Sequence, residues 1–270
     1  MGFTVIGIRG KKPCRVKNQS HRCLSFDILS EDLSQYISDA KTSILIHTAW
    51  EMTPKSYWDD IANFRWTTAS ISLIQRFLEF GGEKVIVTGS CAEYSWLSGV
   101  ALSESSKEEP TSAYGKSKLD LLRFLQEEKI PHLWTRTFFQ FGKEIHSAKL
   151  IPTLIESTLA GIEITLSNPR HVRDYIYIHD VVSILSKLIA QNKSGVVNLA
   201  SGHGRMVSDV VKYVEDALGM RSKVKYSDES GLSTSVVADV SRLKNLLGGV
   251  EIQPFTKSIE CTINEYLKLA

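Results

Sequence analysis

The sequence predicts an α/β fold, a parallel sheet with helices on both faces, joined to a smaller helix-rich lobe. Three observations carry this. Short apolar, β-branched runs alternate with helical patterns through the first half of the chain. Those runs are wet on neither face, as parallel strands covered on both sides require. After Gly142 the pattern changes to helices with only short strands between them.

In chain order, residues 3–9 (FTVIGIR) and 23–28 (CLSFDI) are the first two candidate strands. Residues 43–50 (SILIHTAW), 84–90 (KVIVTGS), 131–137 (PHLWTRT) and 196–200 (VVNLA) complete the set. Between them, residues 30–39 open with Ser30 ahead of Glu31 and Asp32, acids that suit a helix N-terminus. Residues 60–80 carry Ile61, Phe64, Ile71, Ile74, Phe77 and Leu78 as a helical face, and Gly81–Gly82 stops it. Residues 113–128 carry Leu119, Leu121, Leu122 and Leu125. Such strand–helix–strand alternation implies right-handed crossovers. Beyond Gly142, residues 149–160, 179–191, 206–218 and 255–269 read as helices, with short strands at 163–166, 174–178 and 224–226. Residues 196–200 return to the main sheet. The division this implies is 1–141 plus 195–202 for the sheet domain and 142–194 plus 203–270 for the lobe.

Composition narrows the function. The 270 residues carry 32 basic and 30 acidic side chains, so nothing demands a nucleic acid partner. Four scattered cysteines, with no CxxC pair and no zinc spacing, read as thiols of a reducing, cytoplasmic compartment. No apolar run approaches the ~20 residues of a membrane span. No histidines stand at HxxxH spacing, so no metal is expected.

The chemistry concentrates at one motif. Tyr114-Gly-Lys-Ser-Lys118 puts Tyr114 and Lys118 on one face at the start of a predicted helix. An upstream strand ends at Ser90, and a long polar loop, residues 90–110, follows it where α/β proteins place ligands. A tyrosine titrates near pKa ~10 in water, and a neighbouring ammonium stabilises its phenolate. A displacement of ~3 units corresponds to about 4 kcal/mol, enough for proton transfer at a carbinol or carbonyl near neutral pH. Ser90 would hold the same oxygen. The plain alternative is a solvated helix face bearing a tyrosine and two lysines.

Three segments occur in order: Ser90-Cys-Ala-Glu-Tyr94, Pro110-Thr-Ser-Ala-Tyr114-Gly-Lys-Ser-Lys118 and Val172-Arg-Asp-Tyr-Ile-Tyr-Ile-His-Asp180. Together with Asn198-Leu-Ala-Ser-Gly202 they resemble the extended short-chain dehydrogenase/reductases, in particular the nucleotide-sugar epimerase/dehydratase/reductase family. The resemblance implies a Rossmann-like sheet domain that binds NAD(P) and a lobe that binds substrate. It implies Ser90, Tyr114 and Lys118 as the catalytic set, with Lys118 also touching the nicotinamide ribose. Thr48, Ala49 and Trp50 would lie beside the cofactor, Asp27 and Ile28 by the adenine, and Arg173 on the diphosphate of a nucleotide sugar. An ion pair of Arg173 with Asp174 or Asp180 is the alternative for that residue. Dimerisation through the helices at 60–80 and 113–128 is implied as well.

Some chemistries are set aside. Where the family's 4,6-dehydratases carry an Asp-Glu pair, this chain has Cys91 and Ala92, and Glu93 falls one place late. A serine hydrolase lacks its Gly-x-Ser-x-Gly elbow around Ser90. Reduction of a 4-keto-6-deoxy sugar nucleotide is the reading the loop after Ser90 favours, with epimerisation as the alternative.

The front of the chain departs from the family. Its strand, Gly-x-x-Gly-x-x-Gly turn and helix, which cradle the cofactor pyrophosphate, find no match. Gly7-Ile-Arg-Gly10 tempts, but residues 11–22 (KKPCRVKNQSHR) contain a proline and lack an apolar face. The better register makes residues 3–9 the family's second strand and 23–28 its third, with an opening unit of roughly 25 residues absent. The expectation is either a start internal to a longer enzyme or a remnant that binds cofactor weakly and serves as a binding protein. Arg9, with Lys11 and Lys12, stands where NAD users carry an acid, which favours NADP.

Overall fold

The computed structural model describes residues 4–9, 21–29, 34, 37–38, 41–51, 57–96, 99–143, 149–228 and 231–268. The chain forms two compact units, Met1–Thr88 with Thr111–Trp134, and Gly89–Pro110 with Thr135–Ala270.

In the first unit, β1 (Val5–Arg9) and β2 (His21–Ser25) pair in parallel, from Val5 opposite His21 to Arg9 opposite Ser25. β2 therefore lies earlier than the 23–28 run predicts. The Leu29 amide donates to the Asp27 carboxylate at 3.0 Å, a local turn that competes with strand pairing. Of the helix expected at 30–39, residues 34, 37 and 38 are described and are helical; the rest lies outside the described residues, as do residues 11–20.

β3 (Ile44–His47) pairs in parallel with β4 (Lys84–Ser90), Ile44 opposite Lys84 and His47 opposite Val87. β5 (His132–Thr137) lies on the other side of β4. β9 (Gly195–Leu199) belongs to the second unit. Apart from half-buried Thr88, every residue of β4 is buried, the pattern of a strand covered on both faces.

Helix α1 (Ala62–Glu79) corrects the sequence reading. Ile61 is 80% exposed and Phe64 41%, so they do not belong to the core face. The buried stripe is Asn63, Thr67, Ser70, Leu73, Ile74 and Phe77. Its first half is polar because each of those groups has a built-in partner. The Thr67 hydroxyl donates to the Ser117 carbonyl at 2.9 Å, and Ser70 Oγ lies 2.7 Å from His47 Nε2. Small hydroxyl side chains also let α1 approach α2 (Ala113–Glu127) closely. After α1 the chain turns at Gly81, with φ +86°, and a side chain at Gly82 would collide with the Phe77 ring. Helix α2 starts under a Ser112 cap that accepts the Gly115 amide at 3.0 Å, and it buries Leu119, Leu121, Leu122 and Leu125 as expected.

The second unit is organised around β8 (Val172–Tyr177). β6 (Phe139–Phe141) and β12 (Ser235–Val236) pair with it in parallel, and β10 (Gly204–Met206) antiparallel. A second small sheet joins β7 (Ile164–Leu166) to β11 (Val224–Tyr226). Around these lie α3 (Leu150–Ala160), α4 (Ile178–Ala190), α5 (Val207–Leu218), α6 (Ser241–Leu247) and α7 (Phe255–Leu267). Phe141, Tyr175, Tyr177 and Phe255 pack with Leu154, Ile155, Val210, Val214 and Ile259 as its core. β6, β10 and β12 are two or three residues long, too short to leave a periodicity in the sequence.

Candidate active site

Tyr114 and Lys118 sit in the first turns of α2, both buried, at 8% and 2% exposure. The Lys118 ammonium donates to the Thr88 carbonyl of β4 at 3.0 Å. It also lies 3.8 Å from the centre of the Trp50 ring and 6.0 Å from that of Tyr114. The solvated helix face that served as the alternative is therefore not what this motif forms. Trp50 follows the C-terminal end of β3, after exposed Thr48 and Ala49. The first unit thus brings Trp50, Tyr114 and Lys118 together.

Neutral His47 completes this neighbourhood. Burial, with the nearby Lys118 charge, lowers its pKa to about 3. An unfolded histidine binds its proton near pH ~6.5, so below that pH the unfolded chain takes up a proton that the folded one refuses. Stability is full above pH ~6.5 and falls as the pH drops toward the folded value, by about 2 kcal/mol at pH 5. His47→Asn should flatten this limb when chemical denaturation is repeated at pH 5 and pH 7; an unchanged pH dependence would refute it.

Ser90 ends β4 in the second unit and caps a 3₁₀ turn, Cys91–Glu93. Its Oγ accepts the Ala92 amide at 3.2 Å, and its own amide donates to Glu93 Oε1 at 2.7 Å. Glu93 in turn accepts from Arg136 Nε at 2.7 Å, both side chains fully buried. Arg136 also bonds Glu108, reaches the Glu104 carbonyl at 3.3 Å and lies 4.4 Å from the Tyr94 ring. Burial opposes the Arg136 charge, but Glu93 and Tyr94 outweigh it and hold its pKa above the ordinary value. Glu93 is thus committed to holding the Ser90 turn.

Arg173, on β8, donates to the Val172 and Thr234 carbonyls at 2.9 and 2.7 Å and to Thr234 Oγ1 at 2.9 Å. Its guanidinium lies 5.4 and 5.5 Å from the Trp96 and Phe139 rings. Neither aspartate of the motif pairs with it. Asp174 accepts from the Ser201 amide and hydroxyl, the Gly202 amide and the Ala238 amide, and Asp180 accepts the Gln253 amide. Burial pushes the Cys91 thiol up to about 12, against the pull of the Lys149 and Arg173 charges. Where a dehydratase of the resembled family would carry an acid, this chain has a neutral thiol. Lys149 is a residue the sequence reading missed; burial lowers its pKa. Its only signal was a cation at the start of a predicted helix, which by itself says nothing of burial.

Asp27 and Ile28 lie half-buried just after β2. Arg9 ends β1, and its side chain lies outside the described residues. Among the described residues, no group of three or more His, Cys, Asp or Glu is placed to hold a metal ion, and no helix is long and apolar enough to cross a membrane.

A UDP-glucose 4-epimerase of Lacticaseibacillus casei is 23% identical over 244 residues, covering 80% of this chain and 74% of that one. Among solved structures, a UDP-N-acetylglucosamine 4-epimerase from Methanobrevibacter ruminantium M1 superposes with TM-score 0.83 at 22% identity, covering 93% of this chain and 84% of that chain. The Thermus thermophilus UDP-glucose 4-epimerase in complex with NAD gives TM-score 0.81 at 18% identity, covering 94% and 87%. These likenesses establish the α/β Rossmann-like fold. The model of the NAD dependent epimerase/dehydratase family matches residues 2–200, and the chain belongs to that family.

Proposed function

We propose that this chain is an NAD-dependent nucleotide-sugar epimerase, using Tyr114, Lys118 and Ser90 on the sugar oxygen and Arg173 on the diphosphate. The observation that carries the reading is the buried Tyr114–Lys118 pair, with the Lys118 ammonium bonded to the Thr88 carbonyl of the strand that ends in Ser90. The names of the similar proteins favour epimerisation over the 4-keto reduction that the sequence suggested. They also favour NAD over NADP.

The donor set suits the nicotinamide end of such a cofactor: a buried ammonium and a phenol on one helix, beside exposed Thr48 and Ala49 at the end of a parallel strand. NAD, when bound, would supply reversible hydride transfer at a sugar carbon. Tyr114 takes the proton of the sugar hydroxyl and gives it back, while Lys118 favours the phenolate. Ser90 Oγ accepts the Ala92 amide, which leaves its O–H to donate to the same sugar oxygen. Arg173 and Lys149 supply positive charge for the diphosphate, with Thr234 holding the Arg173 fork. Asp27 and Ile28 take the adenine side, and Trp50 the nicotinamide side. Glu93 is spent on Arg136 and the Ser90 amide and is not free for water elimination.

Incubating the protein with NAD and UDP-glucose should yield UDP-galactose without net accumulation of NADH. Stoichiometric consumption of NADH with a 4-keto sugar nucleotide would favour the reductase instead. Binding of NAD and UDP-glucose with no product under any condition would refute turnover. A homodimer through α1 and α2 is proposed as well, since Ile61, just ahead of α1, and Phe64 on it present apolar surface. Ile61→Glu with Phe64→Glu should convert a dimer to a monomer in sedimentation; a wild-type monomer would refute it.

A further inference from the structure

The Tyr114–Lys118 pair stands inside a wall of aromatic rings. Tyr114 meets Tyr57, Trp58 and Trp50 edge-on, with centroids 5.4, 5.7 and 6.3 Å away and interplanar angles of 84°, 82° and 81°. Its amide donates to the Trp58 carbonyl at 2.9 Å. Trp50 presents its face to the Lys118 ammonium at 3.8 Å. The other edge of that indole is tied down, because Nε1 donates to Asn63 Oδ1 at 2.8 Å. The Asn63 amide donates to the Tyr57 and Asp60 carbonyls at 2.6 and 2.8 Å, and the residue is only 3% exposed. One buried amide therefore fixes both Trp50 and the backbone carrying Tyr57.

We propose that Trp50 is a positioning residue for Lys118, its ring face holding the ammonium charged and in place, with Asn63 setting the angle of that face. This rests on the reading of Tyr114 and Lys118 as the proton-transfer pair. A ring face attracts a cation and gains little from a neutral amine, so it supports Lys118 as ammonium in a buried site. The ammonium in turn favours the Tyr114 phenolate. On β3, His47 is neutral, and on β4 the Thr88 group facing Lys118 is a carbonyl dipole. Ahead of α1, the Asp60 carboxylate accepts the Ala62 amide. On α2 itself, Lys116 and Asp120 are exposed. Serine or alanine at position 50 would remove the ring from the ammonium.

The test needs no substrate. Titration of phenolate absorbance, taken as the difference between the wild type and Tyr114→Phe, isolates the Tyr114 transition. Trp50→Leu should raise that transition by about one pH unit, and Trp50→Phe, which keeps a ring face, should restore most of it. Asn63→Ala should raise it by less than Trp50→Leu. A Tyr114 transition that is depressed in the wild type but unmoved in Trp50→Leu would overturn the role of Trp50 and leave the proton-transfer reading standing. A wild-type transition at the value of free tyrosine would overturn both. Should Trp50→Leu fail to fold, indole emission keeps the question open to measurement. Lys118→Met should change the emission of the wild-type chain and leave that of Trp50→Phe unchanged. No difference between the two backgrounds would overturn the contact.

Discussion

Replacing Tyr114 with phenylalanine should lower kcat for UDP-glucose epimerisation by about 10³-fold, with little change in the thermal unfolding midpoint. A positioned general acid–base contributes typically ~10²–10⁴-fold, and the phenol is the group proposed to carry the proton. The stability side of the expectation comes from packing. The contacts with Tyr57, Trp58 and Trp50 are T-shaped contacts between rings, and phenylalanine keeps that ring. Lys118→Met should cost turnover as well, but also stability, because it places a thioether against the Thr88 carbonyl. Single-turnover measurements on both variants separate the two effects. A Tyr114→Phe protein that turns over within threefold of wild type would remove the phenol from the mechanism.

The largest stability effect should come from Arg136→Met, a loss of about 3–5 kcal/mol in urea denaturation. The reason is asymmetry. Arg136 and Glu93 are both fully buried, so removing the guanidinium strands a carboxylate away from water. Glu93 would still accept the Ser90 amide through Oε1, but its second oxygen would lose Arg136 Nε. Arg136→Met combined with Glu93→Gln should recover part of the loss, since the stranded charge is gone while the Ser90 turn keeps an acceptor. If the single variant lost less than about 1 kcal/mol, Glu93 would have to be protonated or solvated, and the account of the Ser90 turn would fail.

How much of this was readable from residues alone differs by element. Helix α2 and strand β4 were legible, because leucines at helical spacing and a fully apolar β-branched run each permit one reading. Helix α1 was placed well but its buried face was not. Periodicity counts apolar residues, whereas Asn63, Thr67 and Ser70 are buried because His47, the Ser117 carbonyl and the loop carbonyls accept or donate to them. The tyrosine, lysine and serine motif stood out in the sequence. Lys149 and the aromatic wall did not, since neither a lone lysine nor scattered Trp50, Tyr57 and Trp58 has a spacing that separates a site from a surface.

The sequence by itself determined the alternation of strands and helices, the order of the motifs and the types of chemistry available at Ser90, Tyr114, Lys118 and Arg173. These follow from local preferences and short spacings, which neighbours along the chain settle between themselves. Only the tertiary structure decided that Lys118 lies between a carbonyl and an indole, that Glu93 serves Arg136, and that Arg173 is held by Thr234 while Asp174 is turned to Ser201. Burial makes that difference. Once a charged or polar group leaves water, whichever partner the fold supplies sets its role, and that partner can lie far away in sequence.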